Sequence, residues 1–177
     1  YGSNAIRNVA FVGHGASGKT TLVDALAFVS GSSKRHGSIQ DGTTLTDHSA
    51  DEIERKHSIS LGVGIAEWQD TKINLLDAPG FLDFLGEATA AIYAADAAVV
   101  VLNATGGVEV GTEKVWEICD QLHLPRLIFV SQMDRERANF ERVFDDVKAH
   151  LSPKVVPVEI PVGNGADFHG IVNLLTD

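Results

Sequence analysis

The chain has 177 residues, 44 % of them hydrophobic, which is enough to bury one good core and points to a single domain. With 24 acidic against 14 basic residues and a net charge of -10, a broad nucleic-acid-binding face is excluded. A lone cysteine leaves no disulfide framework and no stretch reaches transmembrane length, so a reducing, cytoplasmic setting away from membranes is expected.

The opening Tyr1-Gly2-Ser3-Asn4-Ala5 is small and polar and reads as a cloning remnant, which puts the domain proper at 6–177. The apolar run 9–12 predicts a buried strand, and 21–28 predicts a helix. Between them stands Gly13-His14-Gly15-Ala16-Ser17-Gly18-Lys19-Thr20, a complete G-x-x-x-x-G-K-T phosphate-binding loop in the context such a loop needs. Its glycines let the backbone curl so that successive N–H groups point inward at phosphate oxygens, and the helix N-terminus adds partial positive charge. In this pattern Lys19 reaches the β- and γ-phosphates, and the Thr20 hydroxyl ligates Mg²⁺. Gly13 through Thr20, together with Thr21 in the first helical turn, are therefore candidate nucleotide contacts, with His14 acting through its backbone rather than its ring.

Residues 31–58 are polar, with little periodicity, and a connection of that length inside a compact domain is functional or mobile. His36, His48 and His57 fall in it and read as solvated; the seven histidines form no ligand spacing. Next, 61–68 and 72–77 flank Gln69-Asp70-Thr71 as a hairpin. The second segment ends in Asp77-Ala78-Pro79-Gly80, at the carboxyl end of a buried strand, where open α/β sheets place their chemistry. Asp77 there can hold Mg²⁺ directly or through water, and the Gly80 N–H can meet the γ-phosphate and report its presence. Taken alone, the same residues would also make an ordinary Asp-Pro-Gly turn.

A helix near 84–94, a strand at Ala97–Asn103 and a helix around 109–122 follow, the last carrying Cys119 and Trp116 as packing residues. A further strand, Arg126–Ser131, leads into Ser131-Gln132-Met133-Asp134 and a helix near 139–150. A carboxylate at 134 can accept from N1 and N2 of guanine, a donor pair that adenine lacks; equally, Asp134 could cap the next helix. Pro153, Pro157 and Pro161 punctuate the end of the chain, which places a late strand at 155–160 on a sheet edge. The alternation as a whole predicts an α/β fold of the P-loop NTPase type. It has three αβα layers and a mostly parallel sheet with one antiparallel strand.

With these elements in order, the chain resembles a translational GTPase, most closely the G domain of elongation factor G. The resemblance runs over nearly the whole length. It rests on the phosphate loop, on Asp77-Ala78-Pro79-Gly80 in place of Asp-Thr-Pro-Gly, and on Ser131-Gln132-Met133-Asp134-Arg135. Asn139-Phe140, Val156-Pro157-Val158, Ile160-Pro161-Val162-Gly163 and Phe168-His169-Gly170-Ile171-Val172 add to it. It implies a GTP/GDP switch with Mg²⁺, a ribosome partner reached through a longer protein, and Lys19 and Gly80 as the residues acting on the γ-phosphate. Ser58, within Glu54-Arg55-Lys56-His57-Ser58-Ile59, stands where the family usually has the first-switch Thr, and its hydroxyl can still ligate Mg²⁺. The stretch 151–177 resembles the start of a subdomain inserted into this family's G domain, so the domain is expected to be incomplete at its C-terminal side.

The departures bear on mechanism. After Pro79-Gly80 the family has a water-positioning histidine; here the residue is Phe81, whose ring neither donates nor accepts a hydrogen bond. Slow hydrolysis follows, since positioning is most of what such enzymes contribute. The usual Asn-Lys of the guanine motif is Ser131-Gln132, and Ala16 replaces a frequent Asp. The rival readings are a nucleotide-dependent interaction module with little hydrolysis, a P-loop protein without guanine preference, and a fold that binds nothing.

Overall fold

The structure, a computed structural model, describes residues 1–176. In chain order the elements are β1 (Ile6–Val12), α1 (Lys19–Val29), α2 (Ala50–Arg55), β2 (Gly62–Trp68), β3 (Thr71–Asp77), α3 (Leu85–Ala94), β4 (Ala97–Asn103), α4 (Val110–Gln121), β5 (Arg126–Ser131), α5 (Phe140–His150), β6 (Glu159–Val162) and β7 (Gly170–Asn173). The main sheet runs β2-β3-β1-β4-β5; every pairing is parallel except β2 against β3. Gln69 and Asp70, at φ 45° and 60°, turn that hairpin with the double positive φ that matches strand twist.

Side-chain alternation along β1 shows how the sheet is covered on both faces. Ala10 and Val12 pack with Ala91 and Ile92 of α3 and Val115, Trp116 and Cys119 of α4, while Phe11 faces Val23 and Ala27 of α1. At the β5 end, Val143 and Val147 of α5 close over Leu102. Cys119 is fully buried, as its place on an amphipathic helix predicts. Because β1, β3 and β4 run parallel, their carboxyl ends carry the following loops to one edge of the sheet.

One expectation gains detail and one is corrected. Residues 31–58, read as a polar connection with little periodicity, hold the short helix α2. Ser49 opens α2 with a reciprocal capping box, its Oγ accepting from the Glu52 N–H while the Glu52 carboxylate accepts from the Ser49 N–H. The late strand does not extend the main sheet at 155–160. It begins at Glu159 and pairs only with β7, as a separate two-stranded ribbon in which Pro161 is paired with Ile171. A residue without an N–H is tolerated in such a ribbon, because each strand has a free outer edge.

Candidate nucleotide-binding site

The phosphate loop is shaped by close backbone approach. A Cβ on Gly13 would stand 2.3 Å from the Val101 carbonyl oxygen, and at φ 141° the backbone is one that L side chains avoid. Gly18, at φ 93°, ends the loop and opens α1. Two side chains from the end of β5 brace this curl. Gln132 Nε2 donates to the Ala16 carbonyl at 3.0 Å, and Ser131 Oγ lies 2.6 Å from the Ser17 carbonyl oxygen. Among the described residues, the N–H groups of Gly15, Ala16, Gly18, Lys19 and Thr20 donate to no protein acceptor. The Ser17 hydroxyl is also buried without a partner. Donors gathered at a helix N-terminus in this way suit a polyanion.

Lys19 is buried and folds back over the loop, Nζ donating to the His14 carbonyl at 2.8 Å. Burial lowers its pKa to about 8 against the opposing pull of Asp77 and Asp47. An anion in the loop would favour the charged form. Gly80 meets Lys19 at the mouth of the loop; a Cβ there would fall 2.3 Å from Nζ and 2.6 Å from the His14 carbonyl oxygen, so no larger residue fits. The His14 ring turns away from the loop, with Nε2 3.6 Å from Glu109 Oε1.

Oxygen ligands collect on the other side of Lys19. The Thr20 and Ser58 hydroxyls are 3.1 Å apart, so the polar connection places Ser58 at the head of α1. Asp77 is buried at the end of β3, where Thr46 Oγ1 donates to its Oδ2 at 2.6 Å and Oδ1 is buried without a protein partner. Burial pushes the Asp77 carboxyl up to about 6, although the Thr46 and Thr20 hydroxyls and Lys19 pull it down. Asp47, not anticipated from the sequence, is buried beside Ser58 and Lys19, and burial raises its pKa as well. It sits in an aperiodic segment, where no local signal separates a buried carboxylate from a solvated one. A set of hydroxyl and carboxylate oxygens with one carboxylate oxygen unpaired fits a hard divalent cation.

The connection reaches this position because two carboxylates hold it. Asp24, buried on α1, accepts from the N–H groups of Gly37 at 2.5 Å and Leu45 at 3.0 Å. Glu52 accepts from the N–H groups of Ser49, Ile59 and Ser60 and from the Ser49 hydroxyl. Burial works against its charge, but these four donors outweigh it and bring the carboxyl to about 2.

Asp134 lies exposed with Gly18, Thr21 and Gln132 on the wall of a cavity of about 1110 Å³. It does not cap α5; that position belongs to Asn139, whose side chain accepts from the Arg142 N–H at 2.9 Å. Ser131 and Gln132 are spent on the loop backbone, a bracing role that their residue types did not suggest. Phe81 follows Gly80 and lays its ring on Gly15, 3.2 Å from where a Cβ would stand. His57, expected to be solvated, is half-buried against that ring. The structure therefore brings Gly13 to Thr20, Ser58, Asp77 and Gly80 into one cluster, with Asp134 at its rim.

Comparison with known proteins gives the family and the fold. The family model described as the elongation factor Tu GTP binding domain matches residues 4–175. An elongation factor G-like protein of Thermotoga maritima is 38 % identical over 98 % of this chain, and a mitochondrial ribosome-releasing factor 2 of Drosophila sechellia is 40 % identical over 98 %. The chain spans 25 % of the length of each of these relatives. A crystal structure from Thermus thermophilus superposes over 96 % of this chain and 25 % of its own, with a TM-score of 0.90 and 37 % identity.

Proposed function

This chain belongs to the elongation factor Tu type of GTP-binding domain, within the translational GTPases, and we propose that it works as a GTP/GDP switch on the ribosome with slow intrinsic hydrolysis. The observation that carries the reading is the meeting of Thr20 and Ser58 at 3.1 Å beside the unpaired Oδ1 of Asp77. A loop that can order against a γ-phosphate is thereby tied to the residues that would hold the cation. Thr20 and Ser58 would ligate Mg²⁺ through their hydroxyls, with Asp77 holding it directly or through water. The ion would neutralise the charge of the β- and γ-phosphates.

Each remaining part has a place in the scheme. The free N–H groups of Gly15, Ala16, Gly18, Lys19 and Thr20 and the Lys19 ammonium bind the phosphates, and Gly80 approaches the γ-phosphate from the Asp77-Ala78-Pro79-Gly80 turn. Loss of the γ-phosphate would release Ser58 and Gly80 together with the segments behind them. Asp134 would read guanine from the rim. The ribosome is proposed from the names of the relatives, through a longer protein in which 151–177 opens a further subdomain. The working compartment follows that ribosome: the cytoplasm on our reading, an organelle for relatives named as mitochondrial.

A second reading, an interaction module that binds nucleotide with little hydrolysis, draws on one observation. The Phe81 ring occupies the place over Gly15 and offers no hydrogen bond. Calorimetric titration of GDP, GTP and ADP, followed by single-turnover hydrolysis with and without ribosomes, separates the possibilities. We expect GDP and GTP to bind and ADP to fail. A ribosome-stimulated rate far above the intrinsic one excludes the pure interaction module, and equal binding of ADP removes the guanine reading.

A further inference from the structure

Glycine is demanded by the backbone at Gly13 and Gly18, whose φ is positive, but Gly15 carries no such requirement. The G-x-x-x-x-G-K-T pattern also leaves its position open. What a side chain at 15 would meet is the Phe81 ring: a Cβ there would stand 3.2 Å from two ring carbons and 3.4 Å from a third. Carbon atoms pack at about 3.5–4.0 Å, so the bare backbone of Gly15 is what leaves the ring its seat. The same ring meets the His57 ring, 4.7 Å away centroid to centroid and tilted by 56°, and His57 lies 6.4 Å from the ring of Phe84. Phe81 is therefore an apolar wedge that joins the phosphate loop to the end of the polar connection. Each residue that would answer to a γ-phosphate is one position from this stack: Gly80 precedes Phe81, and Ser58, held against Thr20 at 3.1 Å, follows His57.

We propose that Phe81 is a positioning residue for nucleotide binding: packed on Gly15 and on His57, it holds the end of the polar connection, and with it Ser58, against the phosphate loop. The inference rests on the GTP/GDP-switch reading above for its nucleotide preference, while the wedge itself belongs to the nucleotide-free chain. The contact is apolar and asks no hydrogen bond of either ring. GTP would engage Ser58 and Gly80 through its γ-phosphate side and GDP would not, so the wedge contributes to GTP affinity alone. Without it, residues 56–58 spend more time in open arrangements, and GTP affinity falls by the fraction of closed chains that is lost.

The test compares wild type with Phe81→Ala, Phe81→Leu, Gly15→Ala and the Gly15→Ala/Phe81→Ala pair, with folding checked by thermal melts. GTP and GDP affinities are measured by calorimetry in Mg²⁺, and tryptic cleavage after the exposed Arg55 and Lys56 is timed in the nucleotide-free chain. Phe81→Ala should lower GTP affinity by about 3- to 10-fold, the size of one aromatic contact, and leave GDP within about twofold. Cleavage should speed up by a similar factor, since it tracks the population of the open form. Phe81→Leu keeps an apolar contact and should fall between. Gly15→Ala keeps the loop N–H but displaces the ring, so it should lower GTP affinity and speed cleavage in the same way. The pair should be no worse than Phe81→Ala, because the added methyl then has no ring to displace. Wild-type cleavage or an unchanged GTP-to-GDP ratio in Phe81→Ala overturns the proposal, as do equal losses for both nucleotides or additive losses in the pair. A wild type that binds neither nucleotide removes the switch reading instead, and the cleavage rates then decide the wedge on their own.

Discussion

Thr20 Oγ1 and Ser58 Oγ stand 3.1 Å apart although 38 residues separate them in sequence. This contact joins the head of α1 to the segment that precedes β2, across a connection with almost no apolar periodicity. Two hydroxyls at this distance share one hydrogen bond, and a cation between them would replace it with two ligand bonds.

Ser58→Ala tests that link. With the hydroxyl removed, Thr20 loses its partner and a cation would lose one oxygen ligand. GTP affinity in Mg²⁺ should fall by about 1–3 kcal/mol, the usual cost of deleting one partner of a buried polar contact. GDP affinity should fall less, and Ser58→Thr should bind like wild type. Calorimetry with both nucleotides, with and without Mg²⁺, reads the difference; equal losses for GTP and GDP would detach Ser58 from the γ-phosphate side.

Lys19→Ala should cost most of the nucleotide affinity. The side chain is buried at the mouth of the loop beside Gly80, so its charge acts there with little solvent screening. Removing the charged partner of a desolvated phosphate costs about 2–5 kcal/mol, which is upward of about 30-fold in the dissociation constant. The melting temperature of the nucleotide-free variant checks that folding survives. Retention of GDP binding within about threefold would argue against the assignment of this loop.

Asp134→Asn should relax base choice without weakening the phosphate grip. The residue stands apart from the loop, exposed on the cavity wall, and Asn139 rather than Asp134 caps α5. An amide has one acceptor oxygen and cannot pair with both guanine donors, so the preference of GDP over ADP should shrink by about tenfold or more. Competition of the two diphosphates against a fluorescent nucleotide measures this. An unchanged preference would remove Asp134 from base reading.

The main elements were legible because each strand is a short apolar run closed by turn residues, and each of the three larger helices after β3 carries an apolar stripe. The phosphate loop was legible because glycine is required at Gly13 and Gly18 for reasons of backbone shape. Asp47 and Thr46 were not, since burial of a polar residue in an aperiodic segment depends on what folds over it. The bracing by Ser131 and Gln132 escaped because their partners, Ser17 and Ala16, are backbone carbonyls more than a hundred positions away. The α2 helix had a readable capping signature in Ser49-Ala50-Asp51-Glu52, but six residues are too few to show a helical period. The apolar letters of 155–160 suggested a strand while saying nothing of its partner, and the proline spacing suited a ribbon as well as a sheet edge.

Glu52→Gln probes the anchor of the whole first loop and carries a defined pH dependence. The carboxylate serves N–H donors on both sides of α2, from Ser49 behind it and from Ile59 and Ser60 ahead. Glutamine offers one acceptor oxygen and two donor hydrogens, so at least one of these part-buried N–H groups loses its protein partner, at about 1 kcal/mol. The four donors bring the folded carboxyl to about 2 from an ordinary value of 4.5. The stabilisation is therefore present above about pH 4.5 and lost as the pH falls toward about 2, because the unfolded chain takes up the proton first. Wild type should melt higher than Glu52→Gln at neutral pH, and the gap should close on acidification through that window. A gap that stayed constant from about pH 7 to about pH 3 would mean that the charge of Glu52 contributes nothing and that only its shape holds the loop.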